Sequence, residues 1–135
     1  MSNSQGRQPA SAKVDQLARI AVDSVFRVHK ELGPGLLESV YSKCLLFELH
    51  SRNIAAAEAE VPLPVLYRGC RIDAGLRLDL LVDGELIIEL KAVDQLHDVH
   101  KAQMLTYLKL ANKQLGLLVN FNVPLIKDGI RRIIN

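Results

Sequence analysis

Two apolar-rich runs, Arg77 to Val82 and Leu86 to Lys91, flank the turn signal Asp83-Gly84-Glu85. The pattern predicts a β-hairpin, and its register decides which chemistry the hairpin displays. A two-residue turn at Asp83-Gly84 sets Asp79 opposite Ile88 and mixes charges with leucines on one face. An odd-numbered loop centred on Gly84 instead pairs Leu78 with Leu90, Leu80 with Ile88 and Val82 with Leu86, giving one wholly apolar face. Register follows the hydrophobic pattern, so the odd loop is expected.

The opposite face then sets Asp79 against Glu89, with Arg77 opposite Lys91. Carboxylates facing each other across strands lie roughly 5 Å apart and repel. Either the flanking cations compensate in a solvated cluster, or a divalent metal does, since hard cations take carboxylate oxygens. The charge pattern alone favours the solvated cluster, because charged residues on an exposed strand face are ordinary.

A chain of 135 residues is large enough for one cored domain and too small for two. With 49% hydrophobic residues and both charge signs well represented, it reads as globular. Aromatics are only 4%, with no Trp, which weakens any platform on which single-stranded bases stack. The net charge of +2 announces no nucleic-acid surface, so any electrostatic footprint must be local. No signal peptide or bilayer-length apolar run is visible, and the expectation is a soluble, cytoplasmic protein without a membrane partner. Cys44 and Cys70 lack the spacing of a framework or zinc site and read as free thiols.

Residues 1–13 are small and polar, the composition of a disordered leader, and 14–135 form the domain. Leu17, Ala21, Val25, Val28 and Leu32 make a helical stripe, beside which His29 reads as packed or capping. Gly33-Pro34-Gly35 ends that helix, and a second follows with Leu37, Val40, Tyr41, Cys44, Leu45 and Leu49 inward. Glu38 and Tyr41 share a face of it. By itself Glu38 is a first-turn acid and Tyr41 a core aromatic with a wet hydroxyl. Val61, Leu63 and Val65 alternate with Pro62 and Pro64, the mark of a strand that sits at a sheet edge or stops short. Asp98 suits the N-cap of a helix to about Lys113, on which His100, Gln103 and Tyr107 align. Gly116 to Phe121 reads as a buried strand, and Ile130 to Ile134 as a last one.

An Asp on one strand and Glu-x-Lys ending the next, here Asp79, Glu89 and Lys91, resembles the acidic core of the PD-(D/E)xK nucleases. Gly35, Glu38 and Tyr41 upstream, with Gln103 and Tyr107 downstream, make the chain from about Ala21 onward similar to the GxxExxY family of small PD-(D/E)xK-like proteins. The resemblance implies an α/β (α+β) restriction-endonuclease-like core, a central mixed β-sheet flanked by helices.

It also implies a metal-dependent nuclease hydrolysing phosphodiester bonds in DNA. Asp79, Glu89, the carbonyl of Leu90 and Glu38 would hold Mg²⁺ or Mn²⁺. Lys91 would orient or deprotonate the attacking water, or stabilise developing negative charge. Gln103 and Tyr107 would hold the water, Lys91 or a substrate phosphate, while Gly35 and Tyr41 complete the family motif. Little excess charge and no fused specificity domain argue against a sequence-reading enzyme. Two alternatives stay open: a catalytically silent module that binds nucleic acid or a protein, and a hydrolase of a small phosphorylated compound, against which stands the lack of a Gly-rich phosphate cradle. Homo-oligomerisation would give the nuclease a longer channel.

Overall fold

The structure, a computed structural model, describes residues 11–135. The leader expected through Lys13 lies outside these residues as far as Ala10. Ser11 already caps the first helix, its Oγ accepting from Val14 N at 3.3 Å.

Three helices, α1 (Ala12–Leu32), α2 (Glu38–Ser51) and α3 (Asp98–Ala111), sandwich a five-stranded sheet. Its strands are β1 (Ala57–Pro62), β4 (Arg77–Val82), β5 (Leu86–Lys91), β6 (Leu115–Asn120) and β7 (Ile130–Ile134), side by side in that order. Only β5 and β6 run parallel, and α3 is the crossover between them. A separate hairpin, β2 (Val65–Tyr67) with β3 (Cys70–Ile72), stands between β1 and β4 in the chain. This is the mixed sheet flanked by helices that the family resemblance implies. β1 carries Pro62 as its last residue and occupies an edge, where a missing N–H costs no ladder bond.

The odd loop is present. Leu80 pairs with Ile88 and Val82 with Leu86, around a turn in which Asp83 and Gly84 have φ of 52° and 67° and Glu85 N donates to Val82 O. The helices divide the core in two. α1 and α2 pack Val25, Tyr41, Leu45 and Leu49 on Leu80, Val82, Ile88 and Leu90, while α3 packs Met104 and Leu108 on Ile87 and Leu118. Each such side chain, fully removed from water, contributes about 1.5–3 kcal/mol. Gly116 lets α3 approach, since a Cβ there would lie 2.5 Å from Met104 Sδ.

Several expectations need correction. Leu78 joins the α3-side core rather than sharing a face with Leu80, because one rung of the β1–β4 ladder, Glu60 with Asp79, is not formed. Glu60 has φ of 56° at that point, and β4 changes face there. Leu37 and Val40 turn outward on α2, Leu37 being the N-cap residue, while Tyr41, Leu45 and Leu49 alone form its buried ridge. Asp98 is the first residue of α3; the cap position is His97, whose N–H donates to His100 Nδ1 at 2.9 Å. The helix stops at Ala111, where Asn112 takes a left-handed conformation. His29 is packed, its Nε2 bonded to Val123 O at 2.8 Å.

Candidate active site

The alternation that builds the hairpin also delivers its acids. β4 and β5 pair as far as Leu80 and Ile88, and beyond that rung the carboxylates of Asp79 and Glu89 insert between the two backbones. Glu89 Oε2 accepts from Asp79 N and Asp79 Oδ2 accepts from Leu90 N, both at 2.8 Å. Each acid thus replaces a rung of the ladder. The second oxygen of each has no protein donor, and no buried side-chain oxygen among the described residues lacks a partner, so these two oxygens reach solvent.

A solvated cluster this is not. Glu89 is only 5% exposed, because α3 covers that face of the sheet. Burial pushes its carboxyl up to about 8, helped by the negative charge of Asp79, against the pull of the Asp79 N–H and Lys91. Burial also raises Asp79, while the Leu90 N–H and Lys91 draw it down. Burial and mutual repulsion therefore favour a proton shared by the pair, which a cation would displace.

Lys91 stands at the end of β5 with its backbone fixed, Phe121 N donating to its carbonyl at 2.9 Å. Its ammonium makes one long contact, 3.5 Å to Gln103 Oε1. The half-buried Tyr107 keeps its phenolic proton more tightly than usual, through burial and then the charges of Glu89 and Asp79. Asp79, Glu89, Lys91, Gln103 and Tyr107 are thus brought together. The Leu90 side chain faces the α1–α2 core, while its N–H serves Asp79.

The upstream motif divides its labour. Glu38 opens α2 and its Oε2 accepts from Ala92 N at 3.3 Å, on the residue following Lys91. Glu38, Ser39, Ser42, Lys43, Glu60 and Asp79 line a cleft of about 430 Å³. Tyr41 lies away from this cleft, fully buried and stacked on Phe121 at 4.3 Å. Its hydroxyl donates to Gly33 O at 2.6 Å and accepts from Leu36 N at 3.1 Å, so it is anything but wet. Gly35, with φ of 99°, sits in the turn that the tyrosine holds. Both residues therefore place Glu38 without meeting the acids themselves.

Sequence reasoning missed Ser39, Ser42 and Lys43, although their spacing of three and one puts them on a common side of α2 with Glu38. It also missed the structural part of Asn120. That side chain, 1% exposed, accepts from Val93 N and donates to Val93 O, tying the connector after Lys91 to the end of β6.

A mixed sheet flanked by helices that parts at an Asp and a Glu, with a lysine two residues on, is the arrangement of the PD-(D/E)XK nuclease fold. The model of the PD-(D/E)XK nuclease superfamily matches residues 15–133, and the chain belongs to that superfamily. Neither the curated proteins searched nor the solved structures gave a match.

The acids fit a cation, although no group of three or more His, Cys, Asp or Glu side chains is gathered as a ready cage among the described residues. Glu89 is buried and Asp79 half-buried, the two repel each other, and they hold two oxygens open to solvent. Mg²⁺ keeps several waters and needs few protein ligands, so two carboxylates and a carbonyl suffice. No helix among the described residues is long and apolar enough to cross a membrane.

Proposed function

We propose that the protein is a metal-dependent nuclease that hydrolyses phosphodiester bonds in DNA, of the GxxExxY kind within its superfamily. One observation carries the reading: a buried Glu89 and a half-buried Asp79, each with a solvent-facing oxygen, lie beside a lysine that makes almost no other contact. Asp79, Glu89 and the Leu90 carbonyl would hold Mg²⁺ or Mn²⁺, with Glu38 completing the donor set from the cleft rim. When bound, the ion supplies charge neutralisation at the scissile phosphate and lowers the pKa of a water.

The chain's own groups do the rest. Lys91 orients the attacking water and offsets the negative charge that builds on the phosphate as the water oxygen bonds to phosphorus and the ester oxygen departs. Gln103 Oε1, 3.5 Å from the Lys91 ammonium, would steady it as it orients the water. Tyr107, its proton firmly held, donates to a phosphate oxygen or to the water. A second reading, a silent module kept for binding, draws on the fact that Asp79 and Glu89 already serve backbone N–H groups.

The test is incubation of the purified chain with circular and linear duplex DNA, single-stranded DNA and RNA, in Mg²⁺ and in Mn²⁺, beside Lys91→Ala prepared identically. Cleavage by the wild type alone supports the nuclease. If neither cuts while both melt normally, the silent module replaces it.

A further inference from the structure

The β2–β3 hairpin is unsupported. Its three rungs, Val65 with Ile72, Leu66 with Arg71 and Tyr67 with Cys70, close on the two-residue turn Arg68-Gly69, both residues at positive φ. It belongs to no larger sheet, and every residue from Leu66 to Gly75 is exposed. A lone two-stranded ribbon is marginal in water at best, so the core gains little from this one. Its base, however, is firm: Leu63 N donates to Leu76 O at 2.9 Å, and Leu63 is buried against the α3-side core. Because β1 ends and β4 begins at that base, the arm leaves the sheet at the end where Asp79 and Lys91 lie.

The arm also holds the protein's charge excess. From Val65 to Ile72 there are two arginines and no acid, a net +2 equal to that of the whole chain, and the remainder carries fifteen of each sign. The cleft, by contrast, presents Glu38, Glu60 and Asp79 with one lysine, Lys43. The other arginine pair is committed elsewhere, Arg132 to Asp15 and Arg131 to the carbonyls of Asp128 and Ile130. Arg71 reaches Asp73 at 3.3 Å, but both are solvated and such a pair yields readily to a phosphate.

We infer that this hairpin is a substrate arm that enters the major groove of duplex DNA, with Arg68 and Arg71 on phosphates at the groove edges. The inference rests on the nuclease reading. A B-form major groove is about 12 Å wide and admits a two-stranded ribbon. Arg71 precedes Asp79 by eight residues, at most about 26 Å of extended chain, so arm and acids engage one duplex within a single helical turn of about 34 Å. The deep, narrow groove of A-form RNA excludes such a ribbon.

The experiment uses the full chain carrying Glu89→Gln, which binds without cutting, and a fluorescein-labelled 20-base-pair duplex titrated from 50 to 300 mM KCl. Removing both arm arginines (Arg68→Ala, Arg71→Ala) is expected to flatten the slope of log K against log salt by about 1.8, roughly 0.9 for each phosphate contact. It should also weaken binding at least tenfold at the lowest salt. Lys30→Ala with Lys127→Ala, which removes the same charge beside His29, should leave the slope as it is. Equal slopes for the two double variants overturn the arm. So does a change in the protein's own sedimentation when the arm is altered, which would make the ribbon a protein contact through its apolar side. Cleavage by the wild type with arm-independent binding sinks this inference alone, whereas no binding and no cleavage sink the nuclease reading as well.

Discussion

Replacing Glu89 by glutamine is expected to stabilise the metal-free protein at neutral pH while removing its activity. The fold raises the Glu89 carboxyl from 4.5 to about 8, so the folded state binds the proton more tightly than the unfolded chain. The stability this gives is fully present below pH 4.5 and is lost as pH rises through 8. At 1.36 kcal/mol per pKa unit, ionisation of this side chain in the unfolded chain, while the fold keeps it protonated, lowers stability by about 4 kcal/mol at pH 7.5 relative to acid pH. Relaxation and water entry reduce this to about 2–4 kcal/mol. Glutamine imitates the protonated acid, keeps an oxygen for the Asp79 N–H and has no such pH dependence. At about 4 °C per kcal/mol for a domain of this size, the variant should melt about 8–16 °C above the wild type at pH 7.5 in EDTA. At pH 5 the two should agree within about 1 kcal/mol. Mg²⁺ should raise the wild-type melting temperature and leave the variant unmoved. Thermal melts across pH 5 to 8.5 make the comparison, and a variant that melts below the wild type by the same margin at both ends would refute the reasoning.

Lys91→Ala should lower cleavage by about 10²-fold or more and move stability by less than about 1 kcal/mol, since its side chain makes one 3.5 Å contact; single-turnover rates and urea titrations separate the two effects. Tyr41→Phe keeps the stack on Phe121 but strands Gly33 O and Leu36 N, at about 1–3 kcal/mol by urea denaturation; an unchanged midpoint would show that the turn does not need the hydroxyl. Gly129→Ala would set a Cβ 2.2 Å from the Asn120 carbonyl, so backbone must move, and the loss should exceed that of Gly116→Ala, which meets only the flexible Met104; differential melting ranks them.

What was legible in the sequence followed its simplest periodicity. Alternation in Leu80, Val82, Leu86 and Ile88 admits one register, and the structure has it. The buried apolar run from Gly116 to Phe121 marked β6, whereas the mixed sheet came from the family resemblance and not from any periodicity. The displacement of Leu78 was hidden because its cause is a rung missing opposite Glu60, a residue on another strand. Nor could the pattern tell a solvated acid pair from a buried one, because that depends on α3 lying over the face. Of the β2–β3 arm the turn at Tyr67-Arg68-Gly69 was readable, but the ribbon was not, because three-residue strands without a buried side leave no alternation to read. Tyr41 showed its ring in the helical stripe, but its hydroxyl partners lie in a turn whose path only the folded chain defines.

Asp79 and Glu89 stand where backbone would otherwise pair with backbone. The sheet therefore depends on these two acids whether or not any bond is ever cut. A chain that lost its enzymatic task would still be held to them by its need to fold, and their presence alone is a poor gauge of whether the site works. Lys91 is the better one. It secures nothing in the architecture, so a lysine at that position, rather than the acids beside it, distinguishes a working site from a scaffold that has kept its shape.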